Sequence, residues 1–177
     1  PYVVKNLERL GVSAMVMEDK TGSKRNSLFD DQSGSKQDTI HNFSKKLKLA
    51  AKSRVTNDLL IIARIESFIL GKSLDDAMKR AEAYSKAGAD AILIHSKDNT
   101  PSKVFAFAKK FTKSKYFKPM VAVPSSYSKT YEKDLIKNGF KIIIYANHMM
   151  RASYPAMLDV AKSILINKRS FNAEKKI

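Results

Sequence analysis

The sequence predicts an α/β fold of about five βα units, the C-terminal part of a (β/α)8 TIM-type barrel. Three observations carry that expectation. Five short, nearly uncharged apolar runs recur along the 177 residues, each followed by a stretch with helical spacing. Continuous runs of this kind, as opposed to alternating ones, mark strands of a parallel sheet covered on its faces. Each run also ends on a polar residue with chemistry to offer: Glu18, Arg64, His95, Ser125 and Asn147. A barrel gathers such residues on the rim formed by the C-terminal ends of its strands. Five units fall short of the eight in a barrel of about 250 residues, and the chain opens on a helical pattern with no strand before it. The alternative is a self-contained, doubly wound five-stranded sheet. It calls for a glycine-rich phosphate loop after the first strand, and none is present.

Taken in order, residues 2–10 carry Val3, Leu7 and Leu10 at helical spacing, and Gly11 is the stop. The first strand is expected over 13–17, opening into the polar stretch from Glu18 to Leu28 around which the chain is organised. Ser35-Lys36-Gln37-Asp38 reads as a capping box opening a helix, whose core stripe is Ile40, Phe43, Leu47 and Ala50. A second strand covers 59–63. Ser73 caps the next helix, with Asp75 and Asp76 in its first turn and Leu74, Ala77, Met78, Ala81 and Tyr84 as its apolar face. A third strand over 91–94 precedes a helix over 102–111, and a fourth over 120–123 precedes a helix over 128–138. The fifth strand spans 142–145. A last helix carries Met149, Ala152, Ala156, Val160 and Ile164, and the chain then turns polar.

The composition narrows the classes. An apolar fraction of 44% suits a packed domain. No apolar run approaches the roughly 20 residues of a membrane helix, no signal peptide is evident at the N-terminus, and no membrane partner is expected. Cysteine is absent, which rules out disulfides, thiolate metal sites and a cysteine nucleophile in this stretch and is compatible with a cytoplasmic setting. The net charge of +16 comes mostly from lysine, 26 of the 33 basic residues, spread along the whole length. Nucleic-acid binders more often concentrate arginine and aromatics in a stripe, so no nucleic-acid partner is expected.

Among the strand-end residues, Arg64 is either half of an ion pair with Glu66 or a fork for a phosphate or carboxylate. His95 is either a hydrogen-bonded core histidine or a rim residue with a function. Glu18 and Asp19 point to opposite faces if the strand runs through them, so at most one can face a metal with the strand-end set; Glu18 is the candidate, suited to Mg²⁺. Lys24, Arg25, Asn26 and Ser27 in the loop beyond suit a small anion. His41 lies on a polar helix face and is expected to be exposed.

With these residues collected, the chain resembles the phosphoenolpyruvate mutase family of the isocitrate lyase/phosphoenolpyruvate mutase superfamily. The family's signature, Glu-Asp-Lys, five variable residues and Asn-Ser, is met by Glu18-Asp19-Lys20 and Asn26-Ser27. Supporting stretches follow in the same order: Ala63-Arg64-Ile65-Glu66, Ala87 to Ala91 leading into Ile94-His95-Ser96-Lys97, and Ala146-Asn147-His148 with Arg151-Ala152-Ser153. The resemblance implies an isomerase that interconverts phosphoenolpyruvate and phosphonopyruvate, the carbon–phosphorus bond-forming entry to phosphonate biosynthesis. It implies Mg²⁺ in a swapped-helix barrel that forms homo-oligomers, dimers or tetramers. It further implies a gating loop over 24–28 in which Lys24, Asn26, Ser27 and Leu28 close over the substrate, Arg64 and His95 holding the phosphoryl end, and Glu18 in the metal environment. The expected organisation is one partial barrel domain over 1–177, with a family-like core over 11–153 and a truncated C-terminal segment over 167–177. The family's metal-binding aspartates follow earlier strands outside this stretch, so the 177 residues alone are expected to be inactive. Phosphonopyruvate hydrolase is the alternative within the superfamily; Asn26-Ser27 favours the mutase, and the absence of cysteine disfavours the lyase branch.

Overall fold

The computed structural model describes residues 1–22, 34 and 36–175. It divides into two compact units, 1–144 and 145–177.

The first unit begins with helix α1 (Tyr2–Arg9) and strand β1 (Ala14–Glu18). Two short strands, β2 (Lys20–Thr21) and β3 (Lys36–Gln37), pair antiparallel as a stem, and helix α2 (Ile40–Ser53) follows. Then β4 (Leu60–Ile65), α3 (Leu74–Lys86), β5 (Ala91–Ile94), α4 (Ser102–Phe111), β6 (Met120–Ala122), α5 (Glu132–Lys137) and β7 (Phe140–Ile143) alternate.

The five long strands form one parallel sheet in the order β1-β4-β5-β6-β7. Each new strand is added beside the last and the direction of addition never reverses. A doubly wound sheet reverses at a switch point, so this is the winding of a barrel segment. Same-handed crossovers then put the connecting helices on one face. That face carries Ile61, Ala63, Ile65, Ile92, Ile94, Met120, Ala122 and Phe140, packed with Phe43 and Leu47 of α2, Ala81 and Tyr84 of α3, Phe107 and Phe111 of α4, and Leu135 of α5. The rings of Phe43 and Tyr84 meet edge to face with centroids 4.7 Å apart.

Several boundaries differ from the sequence expectation. The Ser35–Asp38 capping box does not open α2: Lys36 and Gln37 pair with β2, and Thr39 is the cap, its hydroxyl accepting the Asn42 N–H at 3.1 Å. Helix α5 starts at Glu132, because the chain from Pro124 to Thr130 turns, with the Thr130 N–H on the Tyr127 carbonyl. The fifth strand starts two residues early, at Phe140 directly after Gly139, where φ is +89°. A β-carbon on Gly139 would stand 3.2 Å from both the Met120 and Thr112 side chains, so close packing of β7 on β6 selects the glycine.

The second unit contains helix α6 (His148–Asn167) and, in place of a purely polar tail, a further short helix α7 (Phe171–Glu174). Lys168, at φ +53°, turns the chain between them.

Candidate functional site

Strand register sets the site. Glu18 of β1 is opposite Arg64 of β4, and Arg64 is opposite Leu93 of β5. His95 stands two residues after Leu93 and shares its face. Glu18, Arg64 and His95 therefore converge at the C-terminal strand ends on the face away from the helix-side core. There the Arg64 Nε donates to Glu66 Oε1 at 2.7 Å and lies 3.9 Å from Glu18 Oε2, while Lys20 Nζ is 4.0 Å from Glu66 Oε2. Both readings of Arg64 thus keep a footing: it is ion-paired with Glu66, and it stands on the rim with a side chain 19% exposed.

His95 is 4% exposed, and its Nδ1 is buried without a hydrogen-bond partner. Burial, followed by the nearby Arg64 guanidinium, pushes its pKa down to about 3. The ring is neutral at physiological pH. Buried nitrogens of a core histidine are commonly satisfied, so the Nδ1 of His95 brings an unmet hydrogen-bonding capacity to the rim. Nearby, Ser126 Oγ donates to the Ser96 carbonyl at 3.2 Å and ties the β6 end to the β5 end.

Asp19, one residue beyond Glu18, points the other way, as pleating demands. It is fully buried, and four donors converge on its carboxylate. Oδ1 accepts the Glu66 N–H at 2.9 Å; Oδ2 accepts the Tyr84 hydroxyl at 2.7 Å, Gln37 Nε2 at 2.9 Å and Arg80 Nη1 at 3.1 Å. Burial pushes its pKa up to about 6 against the pull of those donors, leaving it mostly ionised at neutral pH. Burial likewise raises the Tyr84 hydroxyl pKa. Arg80 also donates from Nε to Asp76 Oδ2 and from Nη1 to the Asp38 carbonyl, at 2.9 and 2.8 Å.

The sequence reading did not find this cluster. Its one local trace is the 76/80/84 spacing, which places Asp76, Arg80 and Tyr84 in one row along α3. Tyr84 was expected as part of an apolar face; its ring is in the core, but its hydroxyl serves Asp19.

The remaining candidates sort as follows. Lys24, Asn26, Ser27 and Leu28 lie outside the described residues. Ser125 is in the turn after β6, His41 is exposed on α2, and Asn147, in the second unit, precedes α6 at φ +51°. Among the described residues no three His, Asp or Glu side chains converge as a metal cluster. Glu18, 16% exposed on the rim, fits a metal that takes one or two protein carboxylates and completes its shell with water and substrate. Asp19 does not, because its oxygens are committed to donors. A cleft of about 400 Å³ between α1 and the turn before β4 lies at the other end of these strands, lined by Lys5, Arg9, Ser13 and Leu59. It holds none of the candidate residues, and chemistry in barrels belongs to the C-terminal rim.

Comparison with known proteins agrees with the fold. The chain is 39% identical over 177 residues to a phosphoenolpyruvate phosphomutase of Tetrahymena pyriformis, covering 99% of this chain and 57% of that protein. It is 40% identical to a phosphonopyruvate hydrolase of Variovorax, covering 90% of this chain and 54% of the hydrolase. A crystal structure of phosphoenolpyruvate phosphomutase from Streptomyces platensis superposes with a TM-score of 0.89 at 34% identity, over 99% of this chain and 60% of that one. A phosphonopyruvate hydrolase solved with oxalate and Mg²⁺ gives 0.83 at 35% identity, over 99% of this chain and 59% of that one. The chain thus spans little more than half the length of these relatives. The family model for phosphoenolpyruvate phosphomutase matches residues 1–165. With barrel-type winding, the strand-end trio and this match over most of its length, the chain belongs to the phosphoenolpyruvate phosphomutase family.

Proposed function

We propose that this chain forms part of a phosphoenolpyruvate phosphomutase, an isomerase that moves a phosphoryl group between the enol oxygen of phosphoenolpyruvate and the methylene carbon of phosphonopyruvate. The observation that supports it most is the convergence of Glu18, Arg64 and His95 on one rim, with a buried imidazole nitrogen left without a partner.

Starting from phosphonopyruvate, the C–P bond breaks, its electron pair stays with pyruvate as the enolate, and the enolate oxygen then takes the phosphoryl group to give phosphoenolpyruvate. No proton needs to be added or removed. The protein's work is to hold a loosely bonded phosphoryl group beside the enolate and to keep water away. Arg64 offers a planar, permanently charged donor set for phosphoryl oxygens. His95, kept neutral by burial, donates one N–H to them without adding a second fixed charge beside the guanidinium. Lys24, Asn26, Ser27 and Leu28 are proposed, on the signature alone, as the residues that contact the substrate and exclude water. Glu18 would help to hold a Mg²⁺ ion, which when bound would supply neutralisation of the negative charge that develops in the reaction.

A homo-oligomer in the cytoplasm completes the proposal. The exposed apolar side chains of α6, among them Met149, Met150, Met157, Leu165 and Ile166, support self-association. Because the chain spans 57% of the Tetrahymena relative, the activity is proposed for a protein of the relatives' length.

Hydrolysis of phosphonopyruvate is the second reading, favoured by the 40% identity to the Variovorax hydrolase. Phosphorus NMR of the full-length protein with phosphonopyruvate and Mg²⁺ separates the two. Phosphoenolpyruvate as product supports the mutase, and inorganic phosphate with pyruvate supports the hydrolase. Recovery of unchanged substrate refutes both.

A further inference from the structure

We propose that Glu66 is a positioning residue for the Arg64 guanidinium, held in place by the buried Asp19 carboxylate with Arg80 behind it; this rests on Arg64 as a phosphoryl-binding group. Glu66 is fully buried two residues past Arg64. Its Oε1 takes the Arg64 Nε–H at 2.7 Å, which fixes the plane of the guanidinium and so the direction of its Nη pair. A guanidinium is a rigid fork, so gripping one nitrogen aims the other two. The grip is itself anchored. The Asp19 N–H donates to the Arg64 carbonyl at 3.1 Å, and Asp19 Oδ1 takes the Glu66 N–H at 2.9 Å. One residue just past β1 thereby clamps the backbone at the end of β4 on both sides of Ile65. Asp19 is steadied in turn by Arg80 and Tyr84 from α3, and by Gln37, which hangs the β2–β3 stem on the same carboxylate.

Stability alone is a poor reason for this arrangement. Asp19 and Glu66 are both 0% exposed, beside a core of Ile65, Ala63 and Tyr84 that is already closed. Apolar residues of similar volume commonly serve such a place as well as a buried ion pair does. What apolar residues cannot do is hold a guanidinium at a set angle, and reactions governed by positioning lose rate steeply when a binding group is aimed wrongly.

The test is a double-mutant cycle in the full-length protein with phosphonopyruvate: wild type, Glu66→Gln, Arg64→Lys and the double variant. Each is measured for kcat and KM and, by calorimetry, for phosphonopyruvate affinity. Glu66→Gln keeps the shape and an acceptor oxygen, so the fold is expected to hold. It is expected to lower kcat/KM on the order of tenfold, as loss of a supporting partner commonly does. In the Arg64→Lys background the same change is expected to cost less than twofold, because the group it aims is gone. Additive losses, or a lowered melting temperature with kcat/KM unchanged, overturn the positioning role and leave the mutase reading standing. A wild-type protein that neither turns over nor binds phosphonopyruvate overturns both.

Discussion

Replacing His95 by asparagine removes the buried imidazole of the rim, and the structure sets the size of the effect. In the folded chain the His95 pKa lies near 3, held down by burial and by Arg64; in the unfolded chain an ordinary histidine has a pKa of about 6.5. Below pH 6.5 the unfolded chain therefore takes up a proton that the native chain refuses, and stability falls as pH falls towards 3. Linkage gives about 2 kcal/mol lost between pH 7.5 and pH 5, from 1.5 pH units at about 1.36 kcal/mol each. Asp19 runs the opposite way: its raised pKa adds stability below about 3.8 that is lost as pH rises through about 6. Comparing wild type with His95→Asn cancels this contribution, since both carry Asp19. Urea unfolding at half-unit steps from pH 7.5 to 5 is expected to show the wild-type stability falling by about 2 kcal/mol more than that of the variant. Parallel profiles would refute the assignment of His95 as a buried neutral imidazole.

Tyr84→Phe removes one donor from Asp19 without changing the ring packing, and is expected to lower unfolding free energy by about 1–3 kcal/mol in denaturant titrations. Arg80→Met leaves that carboxylate without its cation and is expected to cost more, about 3–5 kcal/mol in the same assay. Gly22→Ala places a β-carbon 2.9 Å from the Gly34 carbonyl at a position with φ +93°; it is expected to lower the melting temperature, by strain of about 1–3 kcal/mol. Removing divalent metal from the full-length protein with EDTA is expected to abolish phosphonopyruvate turnover, with Mg²⁺ restoring it, as followed by phosphorus NMR. The 177 residues expressed alone are expected to show no turnover in that assay.

The inner strands were legible because β5 and β6 are buried throughout and β4 nearly so, and such strands read as uninterrupted apolar runs; 91–94 matches β5 residue for residue. Where a run is broken, the reading slipped. Lys141, exposed in the middle of β7, hid a strand that begins at Phe140, and the apolar Ile144 and Tyr145 beyond it drew the expected strand too far on. The Ser35–Asp38 segment misled because its real partner is β2, across the stem, and local chemistry cannot announce a pairing of that kind. The rim trio was legible, since a polar residue closing an apolar run is a local feature. The Asp19 cluster was not: Arg80 and Tyr84 stand 61 and 65 residues further along the chain, and only the folded α3 brings them to the carboxylate.

The winding of the sheet leaves β1 and β7 each bonded on a single flank within it. Outward-facing amide and carbonyl groups there are a template that any extended segment can join, whatever its side chains. Solubility of these residues on their own should accordingly depend on what caps those two flanks, and the lysine-rich surface, by mutual repulsion, is the chain's general defence against stacking edge to edge.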